Sequence, residues 1–202
     1  MRSAESDADG LSIETGRLAM RPLDATGAEA LAAIADGEAA VPSRDADELA
    51  DARAWIARAR VTPGASCYAI LLRASGEPVG AAGVQPMEGQ PAGLELLVWI
   101  GAAQWGRGLA TEAVQVSIDR AFADPSVGAV WGICRVTNRR ARRVIEKCGF
   151  QYRENGMARS VTLRGAVPVE RFVLERRSWQ SLKAWGAVAI SGVPGTSPEV
   201  AA

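Results

Sequence analysis

Short runs of alternating apolar and polar residues recur along the chain, separated by stretches with helical spacing. Residues 17–23, RLAMRPL, alternate apolar and basic positions up to a proline and predict a first strand. Ala28, Leu31, Ala32 and Ile34 share one side of a helix that Asp24 or Thr26 can cap, and that stops near Gly37. After a break at Val41, Pro42 and Ser43, the residues Leu49, Ala52, Trp55, Ile56 and Ala59 repeat the spacing in a second helix. Asp45 or Asp47 caps it, and Pro63 and Gly64 end it. Residues 66–73 and 79–84 predict a hairpin about the turn at 75–78, although Gly80 and Gly83 weaken the second strand. The run 94–100 is too short for a typical helix and long enough for a buried strand. Ala110, Ala113, Val114, Ile118, Ala121 and Phe122 then fall on one helical face. Residues 129–136 predict a strand, and Asn138 opens a helix that Gly149 closes. Residues 151–155 and 169–174 are the last two strands.

This order of elements predicts one α/β domain, a mixed sheet with helices on both faces. The domain spans residues 13–177. Residues 1–12 have no periodicity and read as a disordered tail. Residues 178–202 carry a short amphipathic piece at Trp179, Leu182 and Trp185 and are otherwise a largely disordered extension.

At 202 residues, one domain with a sizeable core is the default. The formal net charge is zero, so no overall field draws the chain to nucleic acid or to a membrane. No apolar run approaches the roughly 18 residues of a membrane-spanning helix. The three cysteines, Cys67, Cys134 and Cys148, show no paired spacing, and the first residues carry no secretion signal, which predicts a cytoplasmic setting. The most informative count is histidine, which is zero. That removes serine or cysteine nucleophiles served by a histidine base, and zinc sites built on histidine. No metal is expected. The remaining chemistry belongs to carboxylates, tyrosine, backbone dipoles and water.

One stretch points to a ligand. The strand 94–100 runs into the turn QWGRG and then into a helix. Gly106 and Gly108 allow a tight turn and a close backbone approach. The first N–H groups of a helix lack internal partners, and the macrodipole is positive at that end. Such a device holds a phosphate or pyrophosphate. An ordinary strand–turn–helix explains the same residues, and neither a full dinucleotide fingerprint nor a Walker loop is present. In sheets of this kind ligands sit where strands diverge at their carboxyl ends, so the pocket should open at this turn.

The pair LELLVWIGAAQWGRGLATEA and NRRARRVIEKCGF resembles the GCN5-related N-acetyltransferase superfamily, and within it the RimJ/RimL type. The resemblance implies a mostly antiparallel sheet of six to seven strands, splayed at its centre. It implies acetyl-coenzyme A as cosubstrate, an amine acceptor, no membrane or nucleic-acid partner, and a homodimer as an admissible state. The superfamily's coenzyme A loop falls on Trp105, Gly106, Arg107, Gly108, Leu109 and Ala110, with Thr111 at the start of the helix. Val98, Trp99 and Ile100 match the strand segment whose backbone pairs with the pantetheine arm, much as an added strand would. Asn138 matches an asparagine that reaches that arm, and equally fits a helix N-cap.

Transfer to an amine needs a base for the ammonium and an acid for the leaving thiolate. Glu95 is the candidate base; as the competing reading, it is a structural partner of an arginine. Ile145 stands where many relatives carry the tyrosine acid, Ala141 where a serine is common, and Ile133 where peptide-modifying relatives place a glutamate. The thiolate's acid is then unassigned, with water as one candidate. These departures keep a second reading open, a module that binds acyl-coenzyme A without turnover, and a third is an unrelated nucleotide-binding domain. The basic run Arg135, Arg139, Arg140, Arg142, Arg143 and Lys147 reads as a solvated helix face or as a dock for the nucleotide phosphate. The acids Asp36, Glu38, Asp45, Asp47, Glu48 and Asp51 read as helix-start chemistry or as a mouth for a cationic amine.

Overall fold

The computed structural model of the chain describes residues 12–39, 57, 61–160 and 165–191. The second expected helix, both expected tails apart from 12 and 178–191, and the side chains of the acidic group lie outside those residues. In chain order the elements are β1 (Ile13–Glu14), β2 (Leu18–Pro22), α1 (Ala25–Ala39), β3 (Ser66–Leu72), β4 (Pro78–Pro86) and β5 (Gly93–Ile100). They continue with α2 (Leu109–Ala123), β6 (Ala129–Arg135), α3 (Arg139–Lys147), β7 (Gln151–Ser160), β8 (Gly165–Glu175) and α4 (Arg176–Ser191).

The strands form one eight-stranded sheet in the order β1-β2-β3-β4-β5-β6-β8-β7. Every pairing is antiparallel except β5 with β6. The count exceeds the expected six to seven because of β1, whose 2 residues are too few to show a period. The last hairpin is also longer than its apolar alternation, since β7 runs on through the polar segment to Ser160. After residue 177, where a largely disordered extension was expected, the chain is helical as far as Ser191. Trp179 fixes this helix by packing on Phe122, with ring centroids 5.1 Å apart, and by donating from Nε1 to Asp119 at 2.9 Å.

Alternation along the strands sorts the core onto two faces. Tyr68, Ile70, Val79, Ala82 and Ile100 meet Leu109 and Ala113 of α2 on one side. On the other, Ala69 and Ala81 meet Leu31 of α1, with Leu97 and Trp99 alongside. The glycines of β4 are required by close approach: a Cβ on Gly80 would lie 2.2 Å from Trp99 O, and one on Gly83 2.3 Å from Ser66 O. The main core lies under β5, β6 and β8, where Val114, Ile118 and Phe122 of α2 meet Val130, Ile145, Phe172 and Leu174.

Candidate active site

The site begins where two strands part. Strand β5 pairs with β6 from Gly93 opposite Ala129 to Leu96 opposite Gly132. Beyond that point β5 continues to Ile100 and β6 to Arg135 without pairing to each other, and the sheet opens into a V. Two bonds fix which backbone groups face the gap. Gly101 N donates to Val79 O at 2.9 Å, and Met87 N to Gly93 O at 3.0 Å, each between directly opposed residues. In an antiparallel pair such bonds alternate, so the groups of Leu97 and Trp99 point to β4. Those of Val98 and Ile100 point into the gap. Of the three residues expected to offer backbone to a ligand arm, Trp99 is therefore committed to the sheet. On the other arm Val136 N donates to Pro168 O at 3.2 Å, which by the same alternation turns the backbone of Ile133 into the gap.

At the mouth of the V the turn is shaped by two left-handed residues, Gly106 at φ 77° and Gly108 at φ 75°. Gly108 is the N-cap of α2 and no side chain caps that helix. The backbone N–H groups of Leu109, Ala110 and Thr111 thus open the helix, while the Leu109 side chain is buried in the core. Trp105 donates from Nε1 to Ile100 O at 2.7 Å, and Arg140 of α3 lies over its ring, 4.1 Å from the centroid. This contact joins the two arms. The Arg107 guanidinium turns aside to the Gln104 side chain.

A cluster that local spacing did not reveal supports this turn from outside. Arg17 NH1 donates to Arg107 O at 2.6 Å, and its Nε and NH2 meet Glu112 Oε2 at 2.7 Å. The Arg17 N–H donates to Glu112 Oε1 at 3.1 Å, and Thr15 Oγ1 donates to the same oxygen at 2.5 Å. Burial opposes the Glu112 charge, but these hydrogen bonds and the neighbouring guanidinium outweigh it and hold the carboxyl below its usual value. The partners are 95 residues apart, so no sequence window contains both.

Helix α3 supplies the second arm. Asn138 accepts from Ala141 N at 2.9 Å through its amide oxygen, so the N-cap role is realised. Ile145 is buried and packs against Gly132, where a Cβ would approach it to 3.3 Å. The position expected for an acid is thus apolar and sits at the point where the strands part. Cys148, with burial pushing its thiol up to about 11, is a core residue beside Thr111 O. The basic run divides: Arg142 binds Glu146 and Glu170, both at 2.8 Å, and Arg140 covers Trp105. Glu146 first, then Glu170, raises the Arg142 pKa.

Glu95 lies on the opposite face from α2 and α3, one residue before the last paired position, across from Trp131. Gln85 Nε2 donates to its Oε2 at 2.9 Å, so among the described residues the partner seen is a neutral amide; the arginines of residues 51–60 lie outside them. On the same face a hollow of about 410 Å³ extends to the far ends of β5 and β6, lined by Trp131, Arg153, Val173 and Glu175. It lies away from the glycine turn; what opens at the turn is the V itself. Among the described residues no three His, Cys, Asp or Glu side chains gather to hold a metal. No helix among them is long and apolar enough to cross a membrane.

Among the described residues the mixed sheet splits at its one parallel pair, with an uncapped helix start at the mouth, a geometry that suits an anionic ligand with an extended arm. The family model for the acetyltransferase (GNAT) domain matches residues 17–151, well over half of the chain, and the chain belongs to that family. Its members are N-acetyltransferases that depend on acetyl-coenzyme A. A comparison with curated proteins finds no match. Among solved structures, a GCN5-related N-acetyltransferase from Brucella melitensis superposes with a TM-score of 0.67 at 19% identity, covering 88% of this chain and 84% of that one. A protein assigned as a ribosomal-protein-serine acetyltransferase from Vibrio cholerae gives 0.66 at 19% identity, over 83% of this chain and 98% of that one. The microcin C7 self-immunity acetyltransferase MccE, solved with acetyl-CoA and AMP, gives 0.63 at 13% identity, over 80% and 93%.

Proposed function

We propose that the chain transfers the acetyl group of acetyl-coenzyme A to a primary amine, of a protein N-terminus or a small molecule, by direct attack within a ternary complex. The observation that carries this reading is the inward backbone edge of β5, the Val98 N–H and C=O and the Ile100 N–H, which leads from the glycine turn down to the parting of the strands, the Ile100 carbonyl being taken by Trp105. An extended amide-bearing arm adds to such an edge as a strand would. The N–H groups of residues 109–111 and the turn at Gly106 and Gly108 receive the pyrophosphate. Asn138, which caps α3, is assigned the further role of meeting the arm from the α3 side.

Glu95 takes the ammonium proton from the other face, directly or through a water. The amine then attacks the thioester carbon, the carbon–sulfur bond breaks, and the thiolate takes its proton from water, since Ile145 offers none. Cys67, Cys134 and Cys148 form no disulfide, which supports a reducing, cytoplasmic setting. Thiol release from acetyl-coenzyme A against a panel of peptides and small amines tests the reading. Glu95→Gln should lower kcat by roughly 10²–10⁴ at neutral pH, with the loss shrinking towards the pKa of the amine. A destabilised variant that turns over at full rate per folded molecule removes Glu95 from the chemistry.

The apolar Ile145 favours one rival, a module that binds acyl-coenzyme A without turnover. It gains if acetyl-coenzyme A raises the melting temperature and no amine in the panel releases thiol.

A further inference from the structure

Glu112 poses an electrostatic problem for the donor site. It sits in the first turn of α2, next to the N–H groups read as the pyrophosphate cradle. A free carboxylate there suits the helix dipole, yet it repels a ligand that carries two negative phosphates. The carboxylate is not free, because the turn between β1 and β2 closes over it. Thr15 donates to one oxygen at 2.5 Å, and the Arg17 guanidinium covers the other at 2.7 Å from two of its nitrogens. The same guanidinium reaches on to Arg107 O at 2.6 Å, inside the glycine turn. It also lies beside Gly108, where a Cβ would stand 3.4 Å from NH2.

We infer that Arg17 is a positioning residue of the donor site. It cancels the charge of Glu112 and holds the Gly106–Gly108 turn in its cradle form. The assignment rests on the acetyl-coenzyme A reading above. Its planar fork matters, because a lysine ammonium cannot bind Glu112 side-on and reach Arg107 O together. Glu112 in turn orients the fork, and its carboxyl, held below the usual value, stays charged under ordinary assay conditions.

Calorimetric titration with coenzyme A tests the inference on the full chain, with Arg17→Met, Glu112→Gln and the double variant. Arg17→Met should weaken coenzyme A roughly ten-fold, within the range for coupled neighbours, and should raise the KM for acetyl-coenzyme A while leaving kcat near wild type. Adding Glu112→Gln to Arg17→Met should recover part of that affinity, because the exposed negative charge is gone. A purely structural role predicts the reverse, a double variant at least as weak as the single. Wild-type affinity in Arg17→Met, or no recovery in the double variant, overturns the inference. If Arg17→Met does not fold, Arg17→Lys gives the same reading, with a smaller loss from the broken link to Arg107 O. A wild-type chain that takes up no coenzyme A sinks the donor reading itself, and the role of Arg17 falls with it.

Discussion

Two glycines in the same turn differ in what they can tolerate. Gly106 and Gly108 share a left-handed backbone, but a Cβ on Gly106 meets nothing within 4 Å, whereas one on Gly108 meets the Arg17 guanidinium. Gly108→Val therefore combines strain of about 1–2 kcal/mol with displacement of the residue that holds the turn. It should abolish the rise in melting temperature that acetyl-coenzyme A gives the wild type, about 2.7 kcal/mol of stabilisation at 100 times Kd. Gly106→Ala should keep a reduced rise, and an unchanged rise in Gly108→Val would remove the turn from the binding site. Glu112 adds a pH dependence. Its pKa is lower in the folded chain, so its tie contributes above the unfolded value and is lost as pH falls through the folded one. Glu112→Gln should therefore flatten the acid limb of a melting-temperature profile. These residues were unequally legible in the sequence. Gly106 and Gly108 announce a turn by their spacing alone. Arg17 and Glu112 are ordinary charges in separate windows until the fold brings them together.

Helix α2 is held at both ends by arginines. At its start Arg17 acts through Glu112, and at its end Arg176 donates to the carbonyls of Phe122 and Val127 at 2.9 Å and also to Asp124 O. The last carbonyls of a helix lack partners and carry the negative end of the dipole, so a guanidinium suits them twice over. Arg176→Met leaves these acceptors unmet. It should cost about 1–3 kcal/mol and lower the melting temperature by roughly 2–4 °C per kcal/mol. A melting temperature within error of wild type would show that water replaces the guanidinium without loss. The apolar face of α2 was readable from spacing, as was its start, because packing and glycine geometry are local. Its fastening was not. The same limit explains β1, whose two residues exist as a strand only because β2 pairs with them.

The whole molecule works as two half-sheets that part at Leu96 and Gly132 and are rejoined across the mouth by Arg140 on Trp105. That contact is exposed, and a cation–π pair of this kind contributes about 0.5–1 kcal/mol. Arg140→Ala should leave the melting temperature of the free chain nearly unchanged and speed coenzyme A release several-fold in stopped-flow displacement. Unchanged release would mean that the pair only covers the ring. The mixed, centrally splayed sheet followed from element order and from the family resemblance. The inward edge at Val98 and Ile100, against the outward turn of Trp99, follows only from register.

The fastening of α2 also bears on how the protein is made. Its start is tied by a residue near the beginning of the described chain, and its end by Arg176, which follows the final strand. During synthesis the glycine turn emerges long before Arg176 does. A nascent chain that already contains the turn would still hold its helix at one end only. Donor-dependent protection of α2 from proteolysis should then appear late, once the last hairpin and the start of α4 have left the ribosome.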